Sequence, residues 1–118
     1  MSDFINKPKH ALTSKEKSVK QERRLAKELN GRVTPGSGSG GVKGDVHTRD
    51  ELIEAKTTSK RQYTLKFVDL QKLEGDARRA GKRPVFIIQV EDDADVFLMH
   101  PEWVVIPKDD YLALKEGS

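Results

Sequence analysis

The sequence contains no cysteine, so neither a disulfide framework nor a thiolate metal site is open to it. Its three histidines, His10, His47 and His100, lack the spacing of zinc ligands. No apolar run approaches the roughly 20 residues that span a bilayer. The first residues are polar and basic rather than a secretory signal, so a cytosolic protein without a membrane partner is expected. No internal repeat is visible. Hydrophobic residues are 35% of 118, no more than the charged ones, which allows one domain with a modest core.

Charge is present in quantity and unevenly spread. The net charge is only +3, yet nine Lys or Arg stand against three Glu between Lys7 and Arg32. A second basic group is Arg78, Arg79, Lys82 and Arg83, and the acidic run Glu91-Asp92-Asp93-Ala94-Asp95 lies apart from both. Clustered basic charge suits a polyanion such as nucleic acid; a solvated helix face is the blander meaning.

Residues 1–12 have no hydrophobic period and read as a flexible basic tail, leaving 13–118 as a single domain. Thr13-Ser14-Lys15-Glu16 has the form of a capping box, predicting a helix from there to about Leu29, closed by Asn30-Gly31. Val19, Leu25, Ala26 and Leu29 form its apolar stripe. Glu22 falls inside that stripe. A carboxylate aimed at a core is costly unless paired with a cation or bound to metal. Arg32-Val33 is a short strand. A second helix is expected from about Lys66 to Ala80 with Gly81 as its cap, then a doubly covered strand over 84–90 and a returning strand over Val96–Met99. Trp103 to Ile106 would extend the sheet or form its edge, and a terminal helix over 108–115 would pack Tyr111, Leu112 and Leu114 inward.

The stretch from Gly44 to Lys56 organises the rest. It reads as two strands joined by a two-residue turn at Arg49-Asp50. Leu52, Glu54 and Lys56 then share one face of the second strand, with Ile53 and Ala55 on the other, and Asp45 lies opposite Glu54. Facing carboxylates repel, so such a pair implies a divalent cation between them, with Lys56 adding positive charge where a phosphate would sit.

Asp45 followed by Glu54-Ala55-Lys56 resembles the D…E-x-K core of the PD-(D/E)XK nuclease superfamily. With the helix glutamate Glu22, the Gly-rich stretch from Thr34 to Lys43, and the segments R-V-T-P-G-S-G, G-D-V and I-E-A-K-T-T, the chain is similar to archaeal-type and phage Holliday junction resolvases. The resemblance spans roughly Ser18 to Val90. It implies a restriction-endonuclease-like α/β fold, a mixed sheet flanked by helices in the order α-β-β-β-α-β-β. It also implies a metal-dependent DNA endonuclease with Glu22, Asp45, Glu54 and Lys56 as catalytic residues. Asp45, Glu54 and the backbone carbonyl of Ala55 would hold Mg²⁺ or Mn²⁺, with Glu22 completing the site directly or through water. Products would carry 5′-phosphate and 3′-hydroxyl ends, the substrate would be a four-way DNA junction, and two coordinated cuts would require a homodimer. A phage-encoded protein of this kind would work in the host cytoplasm.

Gly36, Gly38 and Gly41 formally match G-x-G-x-x-G, but a strand rather than a helix follows, which excludes a dinucleotide loop. The stretch is either an ordinary connector or a loop bringing Ser37, Ser39 and Lys43 to a DNA phosphate. Arg32, Thr57, Thr58, Lys60 and Arg61 are further candidate DNA contacts, with a solvated turn as the alternative for the last four. A nicking or flap-type endonuclease on the same fold, a non-catalytic DNA-binding module and a protein-interaction domain are the competing readings.

Overall fold

The structure is a computed structural model and describes residues 13–33 and 46–117. The described residues form three helices and one open, mixed five-stranded sheet. Helix α1 (Ser14–Glu28) starts at the expected capping box: Thr13 Oγ1 accepts from the Glu16 N–H at 3.1 Å, and the Glu16 carboxylate accepts from the Thr13 N–H at 2.9 Å. It ends with Asn30 in the left-handed region (φ 58°) and the Gly31 N–H returning to the Ala26 carbonyl at 2.7 Å. Asn30, not Gly31, therefore takes the left-handed turn. Gly31 is required for a different reason, since a Cβ there would meet the His47 carbonyl oxygen at 2.5 Å.

That contact seats β1 (Arg32–Val33) against β2 (Val46–His47), with Arg32 opposite His47. β2 turns back into β3 (Glu51–Thr58) through Arg49-Asp50, pairing Val46 with Ile53 and His47 with Leu52. The Thr48 N–H closes the turn on the Glu51 carbonyl at 3.0 Å, and Thr48 Oγ1 also binds the Glu51 backbone and side chain. The expected hairpin register is thus present through Val46, its last described residue.

From β3 the chain crosses by helix α2 (Phe67–Ala80) to β4 (Arg83–Val90), parallel to β3. Gly81 caps α2 at φ 70°, as the sequence predicts. β5 (Glu102–Val105) pairs antiparallel with β4 and closes the order β1-β2-β3-β4-β5. Helix α3 (Lys108–Glu116) follows.

The sheet carries a small core on each face. On one, Leu25 and Ala26 of α1 bury Val46, Ile53, Ala55 and Ile87; on the other, Leu73 and Ala77 of α2 bury Leu52 and Phe86. β4 is covered on both sides, Phe86 and Ile87 being almost fully buried. Each large side chain so enclosed contributes about 1.5–3 kcal/mol.

Three expectations fail. Val96–Met99 forms no strand: Phe97 and Met99 are 88% and 80% exposed, and the place beside β4 is filled by Glu102–Val105 after the Val90 N–H bonds the Pro101 carbonyl at 2.8 Å. Tyr111, Leu112 and Leu114 do not pack inward, because α3 rests on no other element among the described residues and buries none of its own. Leu29 is 41% exposed, since the buried stripe of α1 stops where the helix does. No helix among the described residues is long and apolar enough to cross a membrane.

Candidate functional site

Strand alternation puts Glu54 and Lys56 on the α2 side of β3, and their side chains meet at 3.0 Å between Oε2 and Nζ. Both are largely shielded, Glu54 at 23% and Lys56 at 32% exposure. Burial pulls the Lys56 ammonium down, but its hydrogen bond to Glu54 and the charges of Glu54, Tyr63 and Asp69 more than offset this, and the net shift is upward. Lys56 is therefore a cation and a hydrogen-bond donor at neutral pH, and cannot act there as a base.

Tyr63 and Asp69 belong to this site and were not anticipated. Tyr63 is half-buried, its ring centroid 6.2 Å from that of Phe86, and burial raises its phenol against the opposing charge of Lys56. Asp69 lies in the first turn of α2. Neither follows a local sequence period; only the β3–α2 connection brings them to Lys56.

Glu22 is buried at 6% exposure, as its place in the α1 stripe predicts. Its helix packs Leu25 and Ala26 on the Ile53/Ala55 face, opposite Glu54 and Lys56. The preceding turn meets β3 at Lys56, where Gln21 Nε2 donates to the Lys56 carbonyl at 3.1 Å. Gln21 Oε1 is buried with no hydrogen-bond partner among the described residues. An unsatisfied buried acceptor costs about 1–3 kcal/mol, so this is a place where a donor or a cation would be stabilising.

Asp45 lies outside the described residues, as do Ser37, Ser39 and Lys43. Ala55 is at the centre of β3 with its side chain in the α1-side core. Glu54, Tyr63 and Asp69, whose charges act on Lys56, carry oxygen, the ligand type of a hard cation such as Mg²⁺. Among the described residues, however, no three acidic or His side chains gather closely enough to hold a metal. Of the two expected carboxylate ligands, Glu54 lies beside Lys56 and Asp45 is outside the described residues.

The candidate DNA contacts separate into two regions. Thr57 and Thr58 end β3, with Thr58 Oγ1 accepting from the exposed Lys60 N–H at 3.1 Å; Arg61 pairs with Asp95 at 2.6 Å. Arg32 stands in the ladder row of His47 and Leu52, five residues from Thr57 along β3, or roughly 17 Å. Three other cations are paired: Lys17 with Glu91 and Asp93, Arg24 with Glu28 and Glu102, and Arg79 with Asp76.

A scan against protein-family models finds no match to the chain, and a search of curated proteins finds no relative.

Proposed function

We propose that the chain is a metal-dependent DNA endonuclease of the PD-(D/E)XK type with a restriction-endonuclease-like fold, acting on branched DNA as a junction resolvase. The observation that carries this reading is the Glu54–Lys56 pair at 3.0 Å on β3, the strand following a tight hairpin whose other arm begins one residue after Asp45. The element order supports it, with a helix, a three-stranded antiparallel unit, a crossover helix and a parallel strand.

In this reading Asp45, Glu54 and the Ala55 carbonyl would hold Mg²⁺ or Mn²⁺, while Glu22, on a helix packed against the opposite face of the sheet, would stay outside that site. The metal, when bound, polarises a phosphate oxygen and makes a bound water acidic. Lys56, protonated and already beside Glu54, donates to the phosphate or to the incoming water and offsets negative charge as it builds up. The Tyr63 phenol, kept protonated by burial, is a second donor next to Lys56. Two such sites in a homodimer would cut two strands.

The test is cleavage of a labelled synthetic four-way junction beside linear duplex and a flap, in Mg²⁺ and in EDTA, with Lys56→Ala alongside. Paired, metal-dependent cuts at the junction that disappear in Lys56→Ala, with DNA binding kept, are expected. Cutting of duplex or flap alone would retain the nuclease and remove the resolvase. Binding without cutting in any metal would leave a DNA-binding module.

A further inference from the structure

At the hairpin end of the sheet, away from Glu54 and Lys56, the end of α1, the β2–β3 turn and the start of β4 enclose a concavity of about 310 Å³. Asn30, Arg32, His47, Thr48, Arg49 and Lys82 line it, and among the described residues no carboxylate does. We propose that this concavity is a binding site for a phosphate group, held by Arg32, Lys82 and His47 with Arg49 at its mouth.

Three features carry the assignment. First, its cations lack strong counter-ions. Arg32 and Lys82 form no ion pair among the described residues, and unlike other cations without one, such as Lys20 and Arg23, they line one concavity together. Arg49 reaches only its neighbour Asp50, at 4.0 Å and with both side chains mostly in solvent, a contact worth little. Glu51, the other nearby acid, is engaged by the Thr48 hydroxyl at 2.9 Å. Like charges gathered without an anion repel one another, and a bound anion reverses that cost.

Second, the histidine is set as a donor. Lys82 Nζ lies 3.1 Å from His47 Nδ1. An ammonium has only protons to offer, so Nδ1 accepts and the ring proton of neutral His47 resides on Nε2. Guanidinium, ammonium and imidazole N–H together match a tetrahedral oxyanion. Burial first, then the charges of Lys82 and Arg32, hold the His47 imidazole below its ordinary range, as expected beside cations awaiting an anion.

Third, the walls are fixed by backbone. Gly31 admits β1 to within touching distance of the His47 carbonyl, the Thr48–Glu51 hydrogen bonds close the turn, and the Arg83 N–H bonds the Asp50 carbonyl at 2.8 Å. The backbone that carries the donors is thus fixed, and a phosphate would have only the exposed Arg32 and Arg49 side chains left to order.

The site stands on its own geometry and does not depend on chemistry at Glu54 and Lys56. Inorganic phosphate and the end phosphate of a nucleic-acid strand present the same group, so the test separates them. The readout is the NMR signal of the His47 imidazole, assigned with His47→Gln, in EDTA so that no cleavage intervenes. Adding inorganic phosphate at constant ionic strength should shift that signal saturably and move its titration midpoint upward. Arg32→Gln combined with Lys82→Met should weaken the binding about tenfold or more, with circular dichroism unchanged. An oligonucleotide with a 5′-phosphate that competes where its 5′-hydroxyl twin does not would identify a strand end. Equal competition by both would identify internal phosphodiesters, and competition by neither would identify free phosphate or a small phosphate ester. No saturable shift with any of these, a shift matched by chloride at the same ionic strength, or full binding by the double variant would overturn the site.

Discussion

Glu54 and Lys56 lie together because residues two apart on a strand share a face, which makes this half of the site legible from the sequence. The pair is only partly buried, so Glu54→Gln should change stability by no more than about 1 kcal/mol while removing the cleavage proposed above. A large fall in melting temperature would mean that the pair is structural. Tyr63 and Asp69 could not be read beforehand, since their approach to Lys56 depends on how a connection folds. Gly31 was visible as the end of a helix but not as the residue admitting a neighbouring strand. Gly31→Ala should cost about 1–3 kcal/mol, because the obstructing atom is a backbone oxygen that cannot rotate away. His47 makes a pH prediction. Its folded value is below the ordinary 6.5, so on acidification the unfolded chain takes up the proton first. The stability it contributes is present above about 6.5 and declines below it until the folded imidazole also protonates. Melting temperatures between pH 7.5 and pH 5 should fall less steeply in His47→Gln than in the parent chain.

At the level of elements, the signals that held were those written in contiguous residues. The Thr13–Glu16 capping box, the Gly81 cap and the Arg49-Asp50 turn each specify geometry within a few positions. Thr13→Ala should accordingly cost about 1 kcal/mol, read as a lower thermal midpoint. The signals that failed concern which apolar stretch wins a place against the core. Val96–Met99 and Trp103–Val105 are both apolar enough to pair with β4, and β4 has one free edge. Glu91 and Asp93 bind Lys17, Asp95 binds Arg61, and the acidic run is thereby held in a turn instead of a tight hairpin. The chain reaches the edge only at Pro101. For α3, apolar residues at helical spacing predict a buried stripe, yet α3 packs on no other element among the described residues. Removing residues 108–118 should therefore change stability by less than about 0.5 kcal/mol, as for surface substitutions. A drop of several kcal/mol would show that α3 is covered in solution.

Over the whole molecule, the two cores share one wall. β3 gives Leu52 to one face and Ile53 and Ala55 to the other, and β4 divides Phe86 and Ile87 in the same way. Alternation made this division legible. The long-range ties that set the helices on the sheet were not, since Gln21 to the Lys56 carbonyl, Arg24 to Glu102 and Lys17 to Glu91 join residues 35, 78 and 74 apart. Neither core is large enough to persist alone, so loss of one should release the other. Phe86→Ala would leave a cavity on the α2 face costing about 3–5 kcal/mol, a large part of the roughly 5–15 kcal/mol that holds a domain together. Ile53→Ala would damage the α1 face by about 2–5 kcal/mol. If the sheet couples the faces, both variants should unfold in a single transition at lower denaturant, with circular dichroism, which follows the helices, coinciding with fluorescence of Trp103, the only tryptophan, on the β5 edge. Should the fluorescence transition of Phe86→Ala precede its circular dichroism while that of Ile53→Ala does not, the faces are separate cooperative units. The Glu54–Lys56 pair, on the Phe86 side of the sheet, would then stand or fall with that face alone.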